Sequence, residues 1–98
     1  MLVKVIRSHR DIVTMCDSEL IGKKFEEGIF QLDVKESFYK GEELSEEEAS
    51  IIIRKMVRED ATFNIVGKKS VALALKQGIV LEENIKEIQG IPFVMILL

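Results

Sequence analysis

A chain of 98 residues with 47% hydrophobic and 32% charged side chains, one Pro and six Gly makes a single compact domain spanning residues 1–98, and excludes disordered, collagen-like and linker-rich classes. Its net charge of −3 excludes a protein that coats nucleic acid nonspecifically and leaves room only for a local basic patch. The lone cysteine, Cys16, excludes an intrachain disulfide and a cysteine-rich zinc site, and it suits a reducing, cytoplasmic setting.

Leu2 to Arg7 and Ile12 to Cys16 are rich in β-branched residues and flank the polar Ser8-His9-Arg10-Asp11, which predicts an opening β-hairpin with a four-residue loop. From Asp17 or Ser18 to Glu27 two readings compete. Asp17 or Ser18 caps a short helix, or the segment is an irregular turn, because Gly22 falls inside it and Leu20, Ile21 and Phe25 are raggedly spaced. Phe30, Leu32 and Val34 alternate with Gln31, Asp33 and Lys35, the period of a half-buried strand, and Phe38-Tyr39-Lys40-Gly41 follows as a loop or short extension.

Ser45-Glu46-Glu47-Glu48 is a capping box, and Ala49, Ile52, Ile53, Met56 and Val57 continue it at helical spacing. Thr62 to Val66 reads as a strand and Val71 to Gln77 as a deeply buried short helix ended by Gly78, with Ile79 beyond it. Leu81, Ile85 and Ile88 are spaced for a last short helix before Gly90-Ile91-Pro92 turns the chain. Phe93 to Leu98 is apolar on both faces, as in a strand covered on both sides or an interface strand, so a homodimer through the C-terminal strand is one expectation. The sum is an α+β (or α/β) domain with a mixed sheet of about five strands and helices packed on it. Neither apolar end approaches the roughly twenty residues of a membrane span, so no membrane partner is expected.

"FNIVGKKS", Phe63 to Ser70, is the most chemistry-like passage. A P-loop needs a glycine where Thr62 stands and a Ser or Thr where Lys69 stands, so nucleoside triphosphate hydrolysis is excluded. A strand, a glycine turn and a helix start remain, whose amides and lysines can hold a single phosphate; the alternative is a solvated turn. Leu20-Ile21-Gly22-Lys23-Lys24 echoes Ile65-Val66-Gly67-Lys68-Lys69, but the flanks diverge too far for a repeat. His9-Arg10-Asp11 lacks the Asn that the kinase catalytic triplet requires, since Cys16 stands there. A His9–Cys16 dyad is opposed by the hairpin, which separates the two by roughly 15 to 20 Å at about 3.3 Å per residue. No metal site and no cofactor is expected from one His and one Cys.

With those residues laid out, Met15-Cys16-Asp17, Leu20 to Phe25, Phe38-Tyr39-Lys40-Gly41, Asn64-Ile65-Val66-Gly67 and Gly90-Ile91-Pro92 together resemble an archaeal family catalogued as domain of unknown function 424. The resemblance covers nearly the whole chain. It implies a small stand-alone cytoplasmic archaeal protein and brings no catalytic residue with it.

The residues themselves point first to a non-catalytic binding module for RNA or a translation-associated ribonucleoprotein. Gly22, Lys23, Lys24, Gly67, Lys68 and Lys69 would contact phosphates, and Tyr39 would offer a stacking face. The second class is a protein-interaction module, using the C-terminal strand for a homodimer or the acidic start of the Ser45 helix for a basic partner. The third is a small enzyme centred on Cys16 and Asp17, with a nearby lysine.

Overall fold

A computed structural model describes residues 1–96. β-branched and alternating residues pair Leu2–Ile6 (β1) with Ile12–Cys16 (β2) as an antiparallel hairpin, in register from Leu2↔Cys16 to Ile6↔Ile12. Asp11 closes its loop, accepting from the Ser8 amide at 3.1 Å and the Arg7 guanidinium at 2.7 Å, and these bonds hold its carboxyl below the usual carboxylate range.

The remaining elements are β3 (Lys24–Glu27), β4 (Phe30–Asp33), the one-turn α1 (Glu36–Tyr39), β5 (Glu42–Glu43), α2 (Glu46–Arg58), β6 (Thr62–Val66), α3 (Lys68–Lys76), β7 (Lys86–Ile88) and β8 (Ile91–Ile96). Six of the strands form a mixed sheet in the order β5-β1-β2-β6-β8-β7, in which β2 and β6 run parallel; β3 and β4 make a separate two-stranded sheet. The architecture is the expected α+β domain.

Period-two alternation divides the six-stranded sheet between two cores. On one face Val13, Met15, Phe63 and Ile65 pack with Ala49, Ile53 and Met56 of α2 and Val71, Leu73 and Ala74 of α3. Each such fully buried large side chain is worth about 1.5–3 kcal/mol, so this layer dominates stability. On the other face Cys16 and Val66 are covered by Leu20, Leu32, Val34 and Tyr39, supplied by the β3–β4 sheet and its flanks.

Side-chain and backbone caps fix the helix ends. Ser45 accepts from the Glu48 amide at 3.1 Å while Glu48 accepts from the Ser45 amide at 3.0 Å, completing the predicted capping box. Past α3, the Ile79 amide reaches the Ala74 carbonyl and the Gly78 amide the Leu75 carbonyl, a Schellman closure with Gly78 at φ +73°.

Several expectations are corrected. Of the two readings for residues 17–27 the helix gives way to the irregular turn: a 3-10 turn at Ser18–Leu20 leads to Gly22, whose φ of +79° redirects the chain into β3. Leu81 to Ile88 is likewise a 3-10 turn, Glu82–Asn84, followed by the edge strand β7, and Leu81 points outward at 60% exposure. The main sheet, expected with about five strands, has six, β7 being its outer edge. Helix α3 starts at Lys68, earlier than expected, and buries one face while Lys68, Lys69, Ala72 and Lys76 are exposed. Strand β8 is covered on the helix side, where Val94 is buried, but Met95 on the other side is 66% exposed; Leu97 and Leu98, expected in this strand, lie outside the described residues.

Candidate functional site

The strand–glycine–helix passage has an internal occupant. At the end of β2, the Asp17 carboxylate accepts from the Lys69 amide at 3.0 Å, the Ser70 amide at 2.8 Å and the Ser70 hydroxyl at 2.8 Å. A buried carboxylate thus fills the anion position that a helix start offers through its orphan amides and its dipole. Gly67 is required beside it, because its φ is +108° and a Cβ there would come within 2.4 Å of Asp17 Cγ. The expected phosphate cradle at Gly67 is corrected accordingly: the amides at 69 and 70 are already committed.

Gly22 has a comparable backbone role. Its amide donates to the Val34 carbonyl at 2.7 Å and the Val34 amide donates to the Lys23 carbonyl at 2.9 Å, so the turn clamps the end of β4. The side chains of Lys23, Lys24, Lys68 and Lys69 are all exposed, and none of them forms an ion pair among the described residues. The Gly67 turn directly follows β6, and the Gly22 turn follows the parallel neighbour β2 after the 3-10 turn Ser18–Leu20. Acids lie close by, with the Glu36 side chain near Gly22 and Glu43 near enough to Lys69 to feel its charge.

Tyr39 cannot serve as a stacking platform. It is 8% exposed, its ring stands edge-to-face with Phe38 at 5.0 Å, and burial pushes its hydroxyl up to about 12. Cys16 is fully buried, and burial, followed by the negative charge of Asp17, pushes its thiol up to about 11. A protonated, sealed thiol is a poor nucleophile, and Asp17 is spent on capping α3, so the proposed Cys16–Asp17 centre lacks both its reactive groups. His9 lies in the β1–β2 loop, at the opposite end of β2 from Cys16. No group of three or more His, Cys, Asp or Glu side chains suited to a metal occurs among the described residues, and no helix among them is long and apolar enough to cross a membrane.

On the face of the sheet away from α2 and α3, a cleft of about 380 Å³ opens between the β3–β4 sheet and β8. Its lining is mostly apolar, with Leu32, Val66 and Phe93 beside the polar Asn64, Asn84 and Lys86. That combination, a concave apolar surface with few convergent polar groups, is the usual form of a ligand site.

The profile of the family described as "Protein of unknown function (DUF424)" matches residues 6–98. The chain belongs to that family. A solved structure titled "Crystal structure of an uncharacterized conserved protein from Methanopyrus kandleri" is similar to it, with 25% sequence identity and a TM-score of 0.85 over 98% of this chain and 90% of that one. A search of the curated proteins found no match.

In this DUF424 chain the residues singled out by sequence divide into three groups. Lys23, Lys24, Lys68 and Lys69 are exposed; Gly22 and Gly67 serve the backbone; Tyr39, Cys16 and Asp17 are structural. Sequence reasoning missed the cleft. Its signal was Asn64, an amide in the middle of the otherwise apolar strand Phe63 to Val66, where strand preference disfavours asparagine.

Proposed function

We propose that this DUF424 protein is a non-catalytic, cytoplasmic RNA-binding module that contacts phosphates of an RNA or translation-associated ribonucleoprotein through Lys23, Lys24, Lys68 and Lys69. One observation supports it above the others: in a chain of net charge −3, four exposed lysines without an ion-pair partner among the described residues follow two neighbouring strand ends. Flexible ammonium groups at such a surface act as point charges on phosphates and carry no sequence information by themselves. The contacts come from the side chains, since Asp17 uses the α3 amides. The test is fluorescence anisotropy at low salt with labelled single-stranded and hairpin RNA, comparing the native protein with a variant carrying Lys23→Ala, Lys24→Ala, Lys68→Ala and Lys69→Ala. Native binding that weakens at least about tenfold in the variant supports the reading. No native binding, or equal binding by a folded variant, overturns it.

A second reading, an interaction or homodimeric assembly module, is favoured by the tip of the β3–β4 sheet, where Ile29 is 94% and Phe30 66% exposed. β7 pairs β8 only over Ile91 to Phe93, so the exposed Met95 and the strand edge from Val94 to Ile96 are what β8 offers to such a surface. Sedimentation that stays monomeric at all concentrations removes the homodimer.

A further inference from the structure

We propose that the cleft at Asn64 binds one nucleotide unit, with Asn64 reading the base edge and Lys86 holding the phosphate. The argument starts from the register of the sheet face away from α2 and α3, where Thr14, Asn64 and Met95 stand in one row across β2, β6 and β8. Thr14 spends its hydroxyl on the Phe38 carbonyl at 3.1 Å. The Asn64 side-chain amide makes no hydrogen bond with another described residue, and neither does the Tyr39 hydroxyl at the same cleft. Every sealed side-chain polar atom among the described residues has a partner, so these two unpartnered groups are not sealed, and both residues line the cleft.

Their chemistry selects the ligand. An asparagine amide presents a donor and an acceptor side by side, the pair that matches the edge of a planar base in bidentate fashion. Phe93 is half-buried in the wall and offers apolar contact to such a plane. Lys86 pairs with Phe93 across β7 and β8, which places both side chains on this face, with the exposed lysine at the rim. The lining contains no Asp or Glu, and Lys86 has no ion-pair partner among the described residues, so the cleft favours an anion. A nucleotide, either free or as one residue of a single-stranded RNA, combines a planar hydrogen-bonding edge with an anion. The inference is independent of the lysine turns.

The test is an amide-resolved NMR titration of the native protein with each of the four ribonucleoside monophosphates and, separately, with a short single-stranded ribonucleotide oligomer. Saturable shifts of the Asn64 side-chain amide and of Lys86, Phe93 and Met95 are expected. Saturation by a monophosphate identifies a free nucleotide as the ligand, and saturation by the oligomer alone identifies an RNA residue; both support the site. Asn64→Leu, close to isosteric, should weaken binding at least about tenfold, and the surface change Lys86→Ala should weaken it and flatten its salt dependence. Cleft shifts that persist when the four turn lysines are alanine support the cleft whatever becomes of the phosphate reading. No cleft shift with either probe at millimolar concentration overturns it, and RNA shifts confined to the lysine turns overturn it while leaving the phosphate reading standing.

Discussion

Replacing Asp17 with Asn tests the internal anion at the start of α3. The carboxylate carries three hydrogen bonds on two oxygens, Oδ1 receiving the Ser70 amide and hydroxyl and Oδ2 the Lys69 amide. An asparagine in the same rotamer keeps one acceptor oxygen and turns an NH2 toward the Lys69 N–H, where two donors then face each other. One charge-assisted bond worth about 1.5–3 kcal/mol is lost, and the other two fall to the neutral range of about 0.5–1.5 kcal/mol each. The favourable placement of a negative charge at a helix start, up to about 2 kcal/mol when partly buried, overlaps with these losses, and the relieved desolvation of the carboxylate offsets some of them. The net expectation is a loss of about 3 kcal/mol, equivalent to about 12–24 °C in midpoint for a domain of this size. Urea denaturation followed by far-ultraviolet circular dichroism measures it, with an unchanged slope showing that the unfolded state is the same. A loss below about 1 kcal/mol would refute Asp17 as the principal cap of α3.

Two further predictions concern titratable groups. Native Cys16 should stay unmodified by a thiol-specific disulfide reagent at pH 8 and react fully only in denaturant, because its thiol is sealed and pushed up to about 11; rapid native labelling would contradict the packing of the second core. Glu48 is held below its ordinary value of 4.5 by the Ser45 amide first and the Ser45 hydroxyl second. A depressed folded value contributes stability that is present above 4.5 and lost as pH falls through the folded value, so Glu48→Gln should lose less stability than the native protein on acidification below 4.5. Equal pH profiles for the two would contradict the capping box as a titrating contact.

Local signals were readable in the sequence, and long-range ones were not. The capping box at Ser45 names its own partners within one turn, and Gly78 with Ile79 specifies a closure over the preceding residues, so the end of α3 was correctly placed. Asp17 looked like a cap for the helix after it and instead caps one 52 residues downstream, a pairing created by setting β2 beside β6. β3 escaped notice because Lys24-Phe25-Glu26-Glu27 shows one apolar residue, which is all a strand needs when its partner β4 supplies Leu32 opposite Phe25. Leu81, Ile85 and Ile88 had helical spacing, yet Leu81 faces solvent and Ile88 belongs to an edge strand, so the spacing did not mark a buried face. The four lysines were visible as two similar turns, but that these turns follow neighbouring parallel strands comes only from the sheet order. The cleft left only Asn64 as a signal, since Asn64, Lys86 and Leu32 meet only through the sheet order.

The salt dependence of RNA affinity tests the central claim most directly. The logarithm of the binding constant should fall linearly with the logarithm of salt concentration, with a slope of about −0.7 for each phosphate neutralised on a single strand. Four lysine contacts then predict that the native slope is steeper by about 3 than that of the variant with alanine at positions 23, 24, 68 and 69. Two parallel lines, with equal slopes for the native protein and the variant, would contradict the assignment of those lysines to phosphate.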